Sequence, residues 1–119
     1  MAKTYQLQVL GWPLRADVTW LDDGVDIGLY GGVRIHVGSV ILTGPMTETL
    51  ALDQGSSLTA SVARRWASML RLHFGCPVCI RCGIDYPCLD EAGERELRNA
   101  CENLMLIVMN QEGISDGCP

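Results

Sequence analysis

Two stretches of the chain carry residue types whose spacing could do chemistry. The first is Cys76-x-x-Cys79-x-x-Cys82, followed by Cys88. Thiolates are soft ligands, and closely spaced pairs can wrap one zinc ion or hold an iron–sulfur cluster. The run matches a bacterial ferredoxin pattern only in part: five residues separate Cys82 from Cys88, and Pro87 precedes the last cysteine instead of following it. A strand reading competes. Val78, Ile80 and Cys82 alternate with Cys79 and Arg81, and on a strand Cys79 and Cys82 point to opposite faces. The sulfur therefore has two readings, a metal or iron–sulfur site on Cys76, Cys79, Cys82 and Cys88, or reduced thiols packed as small core residues. Cys101 falls on a helical apolar stripe and reads as core, and Cys118 lies in the tail.

The second stretch is Gly31-Gly32-Val33-Arg34-Ile35-His36-Val37-Gly38-Ser39-Val40. Paired glycines free backbone amides to approach a ligand closely. Arg34 supplies a planar cation for phosphate or carboxylate. His36 can bond a ligand, hold a metal or carry a proton. If this run is a strand, Arg34, His36 and Gly38 share one face and Ile35, Val37, Ser39 and Ile41 the other. The plainer reading is a Gly-Gly hairpin with two solvated polar side chains. Neither stretch assembles a catalytic constellation. There is no Ser–His–Asp order and no phosphate loop, and Gly28 to Gly32 lies between strands rather than opening a helix.

The elements that position these residues divide at mid-chain. Tyr5 to Leu10 has a period of two and ends at Gly11-Trp12-Pro13. Val18 to Leu21 and Val25 to Leu29 flank Asp22-Asp23-Gly24, a strong hairpin signal. Arg34 to Leu42 resumes the alternation up to Gly44-Pro45, and Thr47 to Leu52 is a weaker strand. The period then changes. Leu58, Val62, Trp66, Met69/Leu70 and His73 recur every three to four residues, with Ser56 or Ser57 as N-cap and Gly75 as the stop. Val78 to Ile84 reads as a buried strand. A last helix starts near Asp90, with its stripe on Leu97, Ala100/Cys101, Leu104 and Ile107/Val108. This order predicts an α+β two-layer sandwich: a mostly antiparallel sheet of about five to six strands with two helices packed on one face. It forms one domain over residues 1–112, with a mobile polar tail at 113–119.

Composition sets the bounds. At 119 residues, with 48% hydrophobic and 19% charged residues, the chain is ordered and long enough for one core. Nine Lys and Arg against fourteen Asp and Glu leave a net charge of -5, which disfavours nucleic acid. No basic-then-apolar leader opens the chain, and no apolar run nears membrane-spanning length. A soluble cytoplasmic protein follows, with disulfides uncommon.

The stretch Gly31-Gly32-x-x-x-His36-Val37-Gly38-x-Val40 resembles the central motif of the small D-type proteins that accompany prenylated-flavin-dependent, UbiD-type decarboxylases. The similarity continues through Val62-Ala63-Arg64-Arg65, Cys82-Gly83-Ile84-Asp85 and an acidic-capped helix. The resemblance implies a non-catalytic prenylated-flavin chaperone with a fold similar to proteasome assembly chaperones. Its cargo would be reduced prenylated FMN, or FMN, and its partner a UbiD-type decarboxylase, with a flavin prenyltransferase as a further partner and a homodimer as the assembly. Gly31, Gly32, Arg34, His36, Gly38, Ser39, Ser56 and Ser57 become the cofactor-binding candidates. His36 and Asp85 become candidates for a bridging divalent metal. Asp85 stands where the family often has histidine, and Asp53-Gln54-Gly55-Ser56-Ser57 stands where it carries a Gly/His-rich stretch. Trp12, Trp20 and Trp66 are core or flavin-stacking aromatics. The rival is a metal or iron–sulfur accessory protein. A third reading is an assembly chaperone using protein contacts alone.

Overall fold

The alternating N-terminal half folds as a meander. In the computed structural model, which describes residues 2–44, 48–53 and 56–113, strands β1 (Ala2–Val9), β2 (Trp12–Trp20) and β3 (Val25–Gly32) pair antiparallel in chain order. The Leu21 amide closes the β2–β3 turn on the Gly24 carbonyl at 2.8 Å. β2 begins earlier than the sequence pattern suggested and takes in Pro13, opposite Gln8. The β3 ladder starts only at Leu14, so nothing on that side needs the missing proline N–H.

The next strand in the chain is not the next in the sheet. β4 (Ser39–Thr43) and β5 (Glu48–Asp53) pair antiparallel, helix α1 (Ser57–Phe74) returns across the sheet, β6 (Val78–Asp85) follows, and helix α2 (Glu91–Glu112) ends the described chain. The sheet order is β1-β2-β3-β6-β4-β5. β6 inserts between β3, to which it is parallel, and β4, to which it is antiparallel. The architecture is the expected α+β layer pair, mostly antiparallel, with the parallel β3–β6 pair at its centre. Leu14, Ala16, Ile27, Leu29, Ile80, Cys82 and Ile41 project from the sheet into one core with Trp66, Leu70, Leu97, Leu104 and Met105 of the helices. Apolar side chains hidden from water on one sheet face and two helical stripes supply the main drive to fold.

One expected strand is corrected. Residues 34–38 have no regular structure, and β4 starts at Ser39. The chain must step over the end of β6 to reach its place, and this step breaks the alternation. Ile35 and Val37 are exposed, while Ser39 and Ile41 are fully buried, so the four do not share a face. The crossing is pinned by the Val33 amide on the Asp85 carbonyl at 2.9 Å and the Gly38 amide on the Cys82 carbonyl at 2.8 Å. Between the pins the backbone of His36 rests on Gly83. A Cβ at residue 83 would stand 1.9 Å from the His36 carbonyl oxygen. Gly32 is bound as tightly, with φ +99 and a hypothetical Cβ 2.0 Å from the Asp85 carbonyl oxygen.

Both helix ends carry the expected caps. Ser56 Oγ accepts from the Thr59 amide at 3.1 Å, and Gly75 takes a left-handed conformation at φ 70. The α2 N-cap, Asp90, accepts from the Gly93 amide at 2.7 Å. At its other end α2 is fastened through Glu112, whose side chain is only 3% exposed. It accepts from Tyr5 Oη and from Trp20 Nε1, the latter at 2.7 Å. His73 Nε2 lies 3.1 Å from the carbonyls of Met109 and Gly113, so the first helix also caps the second.

Two stability results are expected. Gly83→Ala forces the crossing off β6, and urea unfolding should show a loss of at least about 2 kcal/mol, the scale of overpacking against rigid backbone. Tyr5 is pushed up to about 12 by burial and by hydrogen bonding to Glu112, and Tyr86 to about 12 by burial. A phenol whose ionisation is raised by folding stabilises the fold fully below its ordinary pKa of 10.0 and loses that effect as pH climbs through the folded value. The buried thiols Cys82 and Cys101, raised from 9.0, act in the same sense, so stability should fall from about pH 9 to about 12, and the Tyr5→Phe/Tyr86→Phe double variant should remove only the tyrosines' part of the fall above pH 10.

Candidate functional site

Open sheets bind ligands outside the carboxyl ends of parallel strands, where the connections diverge. β3 and β6 make such a pair. From β3 the chain crosses toward β4; from β6 it leaves for α2, which packs on β1 and β2. α1 starts at the same end, with Thr59 Oγ1 donating to the Ile84 carbonyl at 3.3 Å. A cleft of about 400 Å³ opens there, lined by Arg34, His36, Val37, Gly38, Ser56, Ile84 and Asp85. That size is within the usual range for small-molecule sites.

Each polar group in the cleft has a definable state. Arg34 Nε donates to Asp85 Oδ2 at 2.6 Å, with both side chains part-exposed. The pair occupies one guanidinium nitrogen and leaves the terminal amino groups free for an anion. His36 Nδ1 is buried and has no hydrogen-bond partner. Buried polar atoms are nearly always paired, so this nitrogen marks a place where a ligand atom would be welcome. Ser56 caps α1, whose first turn contains no acidic residue, whereas α2 carries Glu91 and Glu94 in its own first turn. The positive end of the α1 dipole thus faces the cleft without an acid of its own first turn to offset it.

The candidates sort by position. Arg34, His36, Gly38, Ser56 and Asp85 are brought together. Ser57 opens the helix beside them but does not line the cleft. Ser39 is fully buried and lies outside it. Gly31 and Gly32 line a different hollow of about 60 Å³ on the open face of the sheet, with Arg15, Tyr30 and again Arg34. Both glycines answer to packing: a Cβ on Gly31 would strike Leu14 and Tyr86 within 3 Å. Arg15 stacks over the Tyr30 ring at 5.9 Å. The sequence carried no sign of this Arg15–Tyr30 neighbourhood, because it depends on β2–β3 register.

Around the cleft end, Leu10, Trp12, Val33, Ile35 and Val37 are all exposed apolar side chains. Trp66 is fully buried, and Trp20 meets Phe74 edge-on at 5.0 Å at the opposite end of the sheet. Of the three tryptophans, only Trp12 remains near the cleft.

The sulfur and metal readings find no support. Cys82 is buried facing the helices, Cys79 lies on the opposite face beside Asp26 and Arg81, Cys76 is buried, and Cys88 is exposed. Among the described residues, no group of three or more His, Cys, Asp or Glu gathers around a point. Asp85, the tentative partner of His36 for a divalent metal, is held by Arg34 instead. Cys118 lies outside the described residues. Burial pushes the Cys101 thiol up to about 12, pushes Cys82 higher still, and raises Cys79.

Fold and cleft together define a small two-layer α+β binding domain. The chain is similar to a chain in a crystal structure of a chaperone complex for yeast 20S proteasome assembly, at TM-score 0.61 and 14% identity, over 94% of this chain and 98% of that one. That likeness gives the fold. Residues 9–112 match the prenylated flavin chaperone LpdD-like domain, and the chain belongs to that family. Membership makes it a chaperone and not an enzyme. No curated protein matches the sequence. No helix among the described residues is long and apolar enough to cross a membrane.

The thiol placement is checked by reaction with an aromatic disulfide at pH 8. Cys88 should react quickly, and Cys88→Ser should remove one thiol from the fast phase. Cys76, Cys82 and Cys101 should react only on unfolding, because burial blocks attack on all three and also holds Cys82 and Cys101 in the protonated state.

Proposed function

We propose that this protein binds reduced prenylated FMN in the cleft under the 33–38 crossing and passes it to a UbiD-type decarboxylase. The reading is carried by the convergence, in one cleft, of a guanidinium with free amino groups, an unpartnered imidazole nitrogen and a helix N-terminus with no acid in its first turn. The family match supplies the flavin. The phosphate would lie between Arg34 and the first turn of α1, where Ser56, Ser57 and the free amides stand. His36 Nδ1 would meet a polar edge of the ring system. The cargo brings the flavin chemistry; the chain contributes binding, orientation and shelter.

The exposed apolar residues Leu10, Trp12, Val33, Ile35 and Val37 at this end form the docking surface for the receiving enzyme. A partner seated there covers the cleft as the flavin leaves it. The homodimer implied by the family resemblance would shelter the cleft between deliveries.

Anaerobic titration with reduced prenylated FMN, followed by flavin absorbance and calorimetry, tests this. Wild-type protein should bind in the micromolar range or tighter, and His36→Ala and Arg34→Ala should each weaken binding by roughly tenfold, the scale of one charge-assisted hydrogen bond. Asp85→Asn frees the guanidinium and should preserve or tighten binding. Absence of binding at tens of micromolar, or equal affinity in all four proteins, overturns the reading.

A further inference from the structure

The two helices leave a second cleft, of about 230 Å³, between them. It shares no residue with the cleft at the crossing. α1 turns Ser61, Val62, Arg65 and Trp66 toward it, at the spacing of one helical face, and α2 answers with Arg98, Cys101 and Glu102.

Its chemistry is one-sided. Trp66 is fully buried, yet its indole Nε1 has no hydrogen-bond partner. Cys101, 2% exposed, holds its proton, since burial raises its thiol to about 12. The buried indole N–H of the wall is thus a donor in search of an acceptor, beside a thiol that carries no charge to repel one. Two exposed pairs bridge the helices across this cleft. Arg65 Nη2 donates to Glu102 Oε1 at 2.6 Å, and Arg98 Nη1 to Ser61 Oγ at 3.1 Å. Glu102 is already taken up by Arg65. Arg98 has only a hydroxyl and the distant Glu94, 3.9 Å away, and keeps guanidinium hydrogens free. The cleft therefore offers the free guanidinium hydrogens of Arg98, the unmet indole N–H of Trp66 and apolar walls from Val62 and the Trp66 ring.

We propose that the α1–α2 cleft is a second ligand site, for a small carboxylate with a ring-sized apolar body. A dry apolar cavity of about 150 Å³ admits benzene, so the present volume accommodates a ring together with its carboxylate. The carboxylate takes the indole N–H and the free guanidinium of Arg98, and the ring lies against Val62 and Trp66. Dispersed water would satisfy the indole but leave the apolar wall uncovered.

Benzoate is the probe, and the indole N–H resonances of the intact protein are the readout. Trp66→Phe identifies the Trp66 resonance by its loss. Benzoate should shift that resonance saturably, with a Kd of about a millimolar, and leave those of Trp12 and Trp20 in place. Arg98→Ala, at an exposed position, should weaken benzoate by about tenfold, and benzyl alcohol should bind more weakly than benzoate. If Trp66→Phe fails to fold, Arg98→Ala still identifies the site, because only the resonance of a Trp beside Arg98 loses its response to benzoate. The proposal is overturned if no indole resonance saturates up to tens of millimolar benzoate, or if Arg98→Ala and wild type bind equally. Equal binding of benzyl alcohol and benzoate also overturns it, since that is the behaviour of an unselective apolar void.

Discussion

The backbone of His36 rests on the Cα of Gly83 at a separation that admits hydrogen and nothing larger. The contact exists because β6 is inserted between β3 and β4, so the chain joining those two strands must pass over the end of β6. The crossing lifts residues 33–38 out of the ladder and exposes Val33, Ile35 and Val37. It also holds His36 and Arg34 over the start of α1. With a side chain at residue 83 the crossing would rise, and the cleft would lose one wall. A missing methyl group thus sets the position of the polar groups at this end.

Charge distribution follows from the same topology. Both helices begin at the cleft end, and their macrodipoles add there. α2 neutralises its own contribution with Asp90, Glu91 and Glu94. α1 has no acid in its first turn. A protein with net charge -5 therefore keeps, at this end, a region where an anion is favoured. The acidic background makes that local contrast sharper for an anionic cargo.

The legible and illegible parts of the fold differ in range. The stripe from Leu58 to His73, the Ser56 cap, the Gly75 stop and the Asp22-Asp23-Gly24 hairpin are local, and the structure realises all of them. The opposite faces of Cys79 and Cys82 were readable from a period of two. The crossing was not. Arg34-Ile35-His36-Val37 alternates as a strand does, and only the distant insertion of β6 prevents it from becoming one. Gly31 and Gly32 looked free for a ligand, but the walls they meet, Tyr86 and the Asp85 carbonyl, lie more than fifty residues away in sequence. The grouping of Arg34, His36, Gly38, Ser56 and Asp85 was visible as a set of candidates. The Arg34–Asp85 pair within it was not.

The central place of β6 also has a kinetic side. This strand joins the β1–β3 meander to the β4–β5 hairpin, yet it begins only at residue 78. Until it emerges, β3 and β4 are neighbours in the chain with an unfilled slot between them. They could pair with each other at low loop-closure cost. Such a hairpin would have to open before β6 could enter. The sheet closes only when a late, sequence-distant strand arrives, which places this chain among the slower folders for its length. During synthesis its two halves wait with their central edges unpaired, the condition under which a protein that serves as a chaperone would itself draw on one.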